Sequence, residues 1–405
     1  MAIVMPLLLC SCYKEVEVDD GPGEVFELSV SPEWEDLIYS SKDTGYTIGD
    51  PGVVLRFNGR ALDLKEIRIR GRTSLDFRRK SYAVKLDHPV VLESRDGNEI
   101  IRMNRFKLIS LCMDYTYINN RVAFGLMEQA GVMPLFFKYV EFRMNGETQG
   151  IYFLVEDPEE YFREQGAGYI LRRDYHHGIE DSEYDPGLAV WPREDYKNHF
   201  LEMYLKLPDF QGEALHKFLG QHVDLKLYFR KMGMDYLLRN GDYTDEIYLY
   251  AMAEKDAVRF KPIPWDYDDI FSAVPHEVGR SWGIGKLFGD RVYHSVEDIQ
   301  EEIGERMVFS IEDDLDYAIA RDSFMYARYE QVLADMIGEI EARDISALFD
   351  RVKDELTPFY GEEEMVLLSQ YDRYPTSLEL WQNNMDEKES LLKERLEFMK
   401  IRLKP

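Results

Sequence analysis

The chain has 405 residues, of which 45% are hydrophobic and 13% aromatic, so it contains ample material for a packed core. It carries 77 acidic and 49 basic side chains, for a formal net charge of −28. This balance argues against binding a nucleic-acid backbone or an anionic membrane surface, both of which are held by excess lysine and arginine. The acidic residues are interleaved with aromatic ones, which indicates an acidic folded protein and not a disordered one.

The first twelve residues, MAIVMPLLLCSC, form an apolar run that is too short to cross a membrane. The run resembles a bacterial lipobox, so we expect residues 1–12 to be an export signal, Cys12 to be lipidated and residues 13–24 to form an acidic tether. The expected location is a bacterial outer membrane or cell surface, reached through the lipid anchor alone. No basic residue precedes the run, and the alternative is a hydrophobic N-terminus without this role. Cys112 is then the single remaining cysteine, so no intrachain disulfide is expected.

Alternation of apolar and polar residues predicts a strand-rich first half. The predicted strands, in chain order, are 26–30, 54–57, 67–69, 82–86, 137–144 and 150–155. Asn145-Gly146 between the last two strands is the strongest short signal of a hairpin. A helix is predicted from Tyr117 to Ala130, where Gly131 ends it. The polar stretch from Asp174 to Lys197 is predicted to be a long loop.

The second half is predicted to be mainly helical, with helices over 223–239 and from Val296 onward. One hairpin interrupts the helices, with strands 247–252 and 258–263. No linker rich in Pro, Gly or Ser divides the chain. The simplest arrangement is an α+β fold in which a strand-rich first lobe, residues 25–157, packs against a helical second lobe, residues 158–400.

The hairpin of the second half brings two acidic segments together. Its turn centres near residues 254 and 255, so residues whose numbers sum to about 509 face each other, and Asp242 is expected near Trp265 and Asp266. The two segments contain six carboxylates: Asp242, Asp245, Glu246, Asp266, Asp268 and Asp269. Crowded carboxylates repel unless a cation neutralises them, and all-oxygen sets suit Mg²⁺, Mn²⁺ or Ca²⁺. A metal site is one interpretation, and two solvated acidic loops are the other.

A second cluster lies in the first lobe. The period of a strand puts Ser81, Ala83 and Lys85 on one face, where small side chains leave room for a ligand beside the ammonium group. Ala-x-Lys is also the pattern of the nucleotide-binding lysine of protein kinases, although a lysine on an edge strand is usually solvated. Upstream, Arg70-Gly71-Arg72-Thr73-Ser74 combines two guanidinium groups, a glycine and two hydroxyls, which can hold phosphate oxygens.

The order of these motifs resembles the CotH-type kinases, a family of atypical protein kinases. The matching segments are RGRTS at 70–74, KSYAVKL at 80–86, Asp114 to Asn120, MNGETQGIYFLVE ending at Glu156, Asn240-Gly241-Asp242, and Pro264-Trp265-Asp266-Tyr267-Asp268. The resemblance spans residues 25–400, and the PWDxD motif in this order is its most specific part. It implies a two-lobed fold like that of protein kinases.

The resemblance also implies a function: phosphoryl transfer from ATP, with Mg²⁺ or Mn²⁺, to Ser or Thr of an exported or surface protein. It assigns Asp242 as the catalytic aspartate and Lys85 as the lysine at the ATP phosphates. The ATP-binding residues that it implies are Arg70, Arg72, Ser74, Lys85, Asn120 and Glu156, and the implied metal ligands are Asp266, Asp268 and Glu246. Glu156 is alternatively a surface residue at the end of a strand, and Glu128 competes with it for an ion pair with Lys85.

Three positions depart from the family pattern: Glu246 and Arg72 each replace an asparagine, and Asn119 replaces an arginine. They leave open a catalytically silent, surface-anchored binding module, for which tyrosines such as Tyr175, Tyr184 and Tyr196 would suit a glycan- or protein-binding face. A hydrolase that uses paired carboxylates is a weaker third hypothesis, because it gives the strand of Lys85 no role. We expect a protein substrate, no nucleic-acid partner and a monomer.

Overall fold

The computed structural model describes residues 24–43, 45–95, 97–114, 116–173, 179–241, 247–252, 258–275, 293–311, 313–360 and 378–404. The predicted signal segment, Cys12 and residues 13–23 of the predicted tether lie outside them. Glu24 already belongs to the fold, because its carbonyl accepts a hydrogen bond from the backbone N–H of Glu141 at 2.9 Å. Among the helices that the structure describes, none is both long and apolar enough to cross a membrane.

The described residues form a mixed α+β fold of two sheets and eleven α-helices, which confirms the predicted fold class. The strands are β1 Val25–Ser29, β2 Val54–Phe57, β3 Arg60–Ala61, β4 Leu64–Arg70, β5 Ser81–Glu93, β6 Ile100–Ile109, β7 Phe137–Met144, β8 Glu147–Glu156, β9 Ala167–Arg173, β10 Ile179–Tyr184, β11 Ile247–Met252 and β12 Phe260–Ile263. The helices are α1 Pro32–Ser40, α2 Asn119–Gln129, α3 Pro158–Glu164, α4 Arg193–Lys206, α5 Gly212–His222, α6 Leu225–Leu238, α7 Val296–Ile303, α8 Asp314–Arg321, α9 Ser323–Glu339, α10 Ala342–Tyr360 and α11 Leu378–Arg402. Two 3₁₀ turns cover Thr73–Asp76 and Leu207–Asp209.

The first lobe is built on an eight-stranded sheet with the order β3-β2-β1-β7-β8-β6-β5-β4. β1 runs parallel to β7, and the other neighbouring strands are antiparallel. One face of this sheet has an apolar core of its own, drawn from residues between Phe26 and Leu154. The strands predicted in this lobe are confirmed, but the sequence did not predict β3 and β6.

The opposite face of the same sheet is apolar at one end and charged at the other. Near β7 and β8 it is apolar, and Phe137 and Phe153 pack against Phe124 of α2 and so join the core of the helical second lobe. Near β4, β5 and β6 it carries charged side chains instead. This charged end of the sheet faces the second lobe where the hairpin β11–β12 ends.

The second lobe contains the smaller sheet, with the order β10-β9-β11-β12, and most of the helices. The long loop predicted from Asp174 to Lys197 is wrong where the structure describes it, because β10 and the start of α4 lie there. Tyr196 explains why a polar stretch is ordered: it is fully buried and stacks on Tyr169 at 5.0 Å between ring centroids. Tyr196 therefore belongs to the core and does not form part of a glycan-binding face, while Tyr175 lies outside the described residues.

Candidate functional site

The two acidic segments meet as the hairpin argument required, with a different register. Tyr248 lies opposite Ile263 and Ala251 opposite Phe260, so paired numbers sum to 511 and not to about 509. Beyond the strands, the backbone N–H of Gly241 donates to the carbonyl of Asp269 at 2.8 Å. A Cβ atom at Gly241 would lie 2.1 Å from Oδ2 of Asp269, so a side chain at this position would displace the Asp269 carboxylate. The predicted site residues Asp242 and Glu246 lie outside the described residues, as does Asp245.

The segment Pro264–Ser272, here called the PWD loop, is held by the first turn of α2. Asn120 accepts a hydrogen bond from the backbone N–H of Tyr267 at 3.1 Å, and Asn119 donates to the carbonyl of Asp268 at 2.5 Å. Asn120 is buried and holds the backbone of the PWD loop. Its contact with ATP stays a prediction.

Within the PWD loop, buried Tyr267 anchors the two aspartates that flank it. Its hydroxyl donates to Asp235 of α6 at 2.9 Å, while Asp266 and Asp268 are half-buried on either side. Asp266 has a φ of +55°, a left-handed conformation that few residues other than glycine, asparagine and aspartate adopt. Such a conformation is maintained where surrounding contacts fix the backbone, and it is frequent at functional sites.

Lys107 of β6, which the sequence reasoning missed, faces this loop. Its partners in the ladders are Ala83 of β5 and Val155 of β8, so Lys107 lies on the same face as Lys85 and has apolar side chains directly opposite. The Lys107 ammonium lies 4.5 Å from the ring centroid of Trp265, and the guanidinium of Arg70 lies 5.3 Å from it. A lysine between two buried residues, Phe106 and Leu108, was the available sequence signal.

Lys85, the lysine singled out from the sequence, lies farther along the same face. It is half-buried and stands opposite Arg105 in β6 and Glu66 in β4. In the part of the chain that the structure describes, no ion pair or hydrogen bond joins Lys85 to the PWD loop. Of the two lysines on this face, Lys107 is the one that contacts the PWD loop. The phosphate-binding role of Lys85 stays a prediction.

The charge of Lys107 is balanced by Asp157, the first residue after β8. Their charged groups, Nζ and Oδ2, are 3.6 Å apart, and both residues are buried. Asp157 also caps α3 by accepting hydrogen bonds from the backbone N–H groups of Glu159 and Glu160. Burial works to raise the pKa of Asp157, but Lys107, Arg105 and these two amides together hold it below its usual value.

Arg105 adds a second cation beside this pair. Its guanidinium lies 3.9 Å from Asp157, 2.8 Å from Glu159 and 3.5 Å from Glu183 of β10. Three carboxylates thus surround Arg105, whereas the Lys107 ammonium lies next to Asp157 and to the ring of Trp265 in the PWD loop. Of the two cations, Lys107 is the better placed to meet an anionic ligand at the PWD loop.

The two glutamates predicted as alternative partners of Lys85, Glu156 and Glu128, lie elsewhere. Glu156 stands opposite Phe106, so its side chain leaves the sheet on the other face, where it accepts a hydrogen bond from the backbone N–H of Phe136 at 3.0 Å. Burial raises the pKa of Glu156 to about 7. Glu128 pairs with Arg95 at 2.7 Å. Neither ion pair with Lys85 is formed among the described residues, because the strand period directs Glu156 away from it.

The RGRTS segment reaches the site through Arg70. Arg70, its first residue, reaches Trp265, while Arg72 is exposed at the start of the 3₁₀ turn and Ser74 is half-buried within it. Gly71 has a φ of +122°, and a Cβ atom there would lie 2.1 Å from Oγ of Ser74. The glycine thus permits the sharp turn that follows Arg70.

The site is a sheet face with cations opposite a loop with carboxylates. Asp266 and Asp268 supply hard oxygen donors of the kind that Mg²⁺ and Mn²⁺ prefer. Within the described ranges, no three metal-ligating side chains surround one point. Glu246, the third predicted ligand, is not among the residues that the structure describes.

Comparison with known proteins identifies the family of the chain. The family described as CotH kinase protein matches residues 67–399, well over half of the chain. The chain is also similar to the inner spore coat protein H of Bacillus subtilis (strain 168), with 24% identity over 260 residues, which cover 60% of this chain and 68% of that protein. The matched range contains Arg70, Lys107, Asp157 and the PWD loop.

Proposed function

The chain belongs to the CotH kinase family, and we propose that it transfers a phosphoryl group from ATP to Ser or Thr of an exported or surface protein. In this proposal residues 25–400 form the kinase domain, and Mg²⁺ or Mn²⁺ is the metal. One observation carries most of the proposal. The hydrogen bond from Gly241 to Asp269 joins the segment that leads into Asp242 to the PWD loop, which lies against Lys107.

The residues at this junction fit a metal-bound nucleoside triphosphate. Asp266 and Asp268 would hold the metal, and Arg70 and Lys107 are the cations available for phosphate oxygens. The absence of a side chain on Gly241 allows the two segments to approach. When bound, the metal would neutralise charge on the transferred phosphoryl group.

The side chains of the protein then have distinct tasks. Lys107, held by Asp157, binds and orients phosphate oxygens, and Arg70 does so from the end of β4. Asn119 and Asn120 keep the PWD loop at a fixed distance from the sheet through their bonds to Asp268 and Tyr267. Asp242 accepts or orients the proton of the acceptor hydroxyl, a contribution of about 10²–10⁴-fold for a well-placed base.

The proposed location is the bacterial surface, with a lipid on Cys12 as the anchor. The name of the similar Bacillus protein refers to a spore coat, which is also a surface layer. Cells grown with labelled palmitate would carry label on the wild-type chain and none on Cys12→Ala. Equal labelling of the two would contradict the anchor without affecting the enzymatic proposal.

The enzymatic proposal is tested by transfer of labelled γ-phosphate from ATP to basic protein acceptors, with Mg²⁺ and with Mn²⁺. Asp242→Ala and Asp266→Ala should each abolish transfer, while Asp209→Ala, which removes an exposed carboxylate from a 3₁₀ turn, should leave it unchanged. Absence of both transfer and metal-dependent ATP binding would overturn the proposal in favour of the binding module. Binding without transfer would point to Glu246 as the residue that silences the site.

A further inference from the structure

Lys388 of the last helix, α11, is linked to the PWD loop through the side chain of Asn119. Lys388 donates a hydrogen bond to Oδ1 of Asn119, and the amide group of the same asparagine donates to the carbonyl of Asp268. The backbone N–H of Asn119 is held in turn by buried Asp114 at 2.6 Å. Lys388 therefore fixes the orientation of the side chain that holds the loop.

The same helix also reaches the other half of the site. Arg395 donates to the backbone carbonyls of Leu237, at 2.6 Å, and of Tyr236, both in the last turn of α6. These are carbonyls that the end of a helix leaves without partners in the helix itself. Three residues after Leu237, the chain continues into Asn240-Gly241-Asp242. Arg395 thus holds the base of the segment that carries the proposed catalytic aspartate.

Lys388 and Arg395 are seven residues apart, which places them two turns apart on one face of α11. We propose that α11 is a two-point positioning element, in which Lys388 sets the PWD loop and Arg395 sets the end of α6, so that the helix fixes the spacing between the segments of Asp266 and Asp242. This inference rests on the proposed function for its catalytic meaning, but its structural content can be tested without nucleotide.

The physical reason lies in how the two segments are otherwise joined. Backbone hydrogen bonds from Gly241 to Asp269, from Phe271 to Leu238 and from Ser272 to Arg239 hold them side by side. These bonds join the end of α6 and the residues that follow it to a non-helical loop. A long helix that packs on α6, α9 and α10 gives both segments a common rigid support.

The electrostatics at Lys388 agree with a positioning role. Burial lowers the pKa of Lys388, while the carboxylates of Asp114, Glu387 and Asp269 favour its charged form. Asp269 belongs to the PWD loop, so the charge of the loop favours the charged ammonium group that binds Asn119. Lys393 of the same helix offers a matched contrast, because it forms a pair with Glu389 one turn away and contacts none of the described residues of the site.

Hydrogen exchange measured on the full chain, without ATP or metal, tests the proposal. Lys388→Met should accelerate exchange roughly tenfold in peptides that cover 264–272, and Arg395→Met should do the same in peptides that cover 238–246. Peptides from β5 and β6 should be unchanged in both variants. Lys393→Met should alter neither region, and Lys388→Arg should restore protection of the loop.

Two outcomes would overturn the proposal: unchanged exchange at both segments, or acceleration spread evenly over the chain, which indicates a general loss of stability. If Lys388→Met does not fold, Asn119→Ala removes the same link from its other side and should expose the same peptides.

Phosphoryl-transfer assays test the effect of α11 on catalysis. If the chain is a kinase, Lys388→Met should reduce kcat roughly tenfold with little change in the KM for the acceptor, and Lys388→Arg should recover it. A wild-type chain that transfers no phosphate would contradict the proposed function, while the exchange data would still decide the role of α11.

Discussion

Phe106 and Lys107 are neighbours in β6 and point to opposite faces of the eight-stranded sheet. Phe106 is fully buried and packs on Phe26 at 5.3 Å, in the core of the first lobe. Lys107 lies against Trp265 and Asp157, where the sheet meets the second lobe. One face of the sheet therefore stabilises the lobe, and at this end the other face presents charge to the candidate site.

The end of the neighbouring strand β8 shows the same contrast between two carboxyl groups, those of Glu156 and Asp157. Glu156 is directed to the face of Phe106, and burial raises its pKa to about 7. Asp157 follows it directly, and there the effect of burial is outweighed by Lys107 and Arg105, so its pKa is lowered. The pKa values of these two adjacent carboxyl groups thus shift in opposite directions, because Glu156 points to the apolar face and Asp157 lies beside Lys107 and Arg105.

The largest effect is expected from the apolar face. Phe106→Ala should lower the free energy of unfolding by about 3–5 kcal/mol, because it removes a large buried side chain and leaves a cavity. Urea unfolding followed by circular dichroism measures this change. Val91→Ala, at an exposed position of β5, serves as the control and should cost less than about 1 kcal/mol. A loss of similar size in both variants would contradict the assignment of the core to this face.

Much of this contrast could be predicted from local patterns. The alternation in Ser81–Leu86 correctly separated the face of Tyr82 and Val84 from that of Ala83 and Lys85. The prediction of a hairpin before the PWD loop correctly brought the acidic segments together. Its register was wrong by two residues, because the sequence of residues 253–257 does not indicate how many of them form the turn.

The identity of the lysine at the site could not be predicted in this way. It depends on which residue of β6 lies opposite Ala83, and a register shift between Lys85 and Val90 separates two stretches of that pairing. A bulge of this kind leaves no distinct local signal. The roles of Asn119 and Asn120 depend on contacts to Asp268 and Tyr267, nearly 150 residues away in sequence.

The second prediction separates the two lysines on the charged face. Lys107→Met should reduce phosphoryl transfer by roughly 100-fold, because an electrostatic contact to the transferred group is lost. Lys85→Met removes the same charge from the same face farther from Trp265 and should change transfer less than about threefold. The two variants are compared by initial rates at saturating ATP and acceptor.

The stability of these variants provides the control. Asp157 retains Arg105 and two backbone amides in Lys107→Met, so the variant should remain folded at 25 °C. If Lys85→Met lost as much activity as Lys107→Met, the sequence-based assignment of Lys85 would be restored. If neither variant lost activity, this face of the sheet would not be the phosphate site.

The smallest expected effect concerns Glu156 and depends on pH. A carboxyl whose pKa is about 7 in the folded chain and 4.5 ordinarily binds more protons when folded, so its contribution to stability is full below pH 4.5 and is lost as the pH rises through 7. Glu156→Gln retains an oxygen for the N–H of Phe136 and cannot ionise. It should therefore be more stable than the wild type by about 1–2 kcal/mol at pH 8 and no more stable at pH 4.5. Thermal unfolding at the two pH values measures the difference. A variant that is destabilised equally at both would contradict a raised pKa of Glu156 caused by burial.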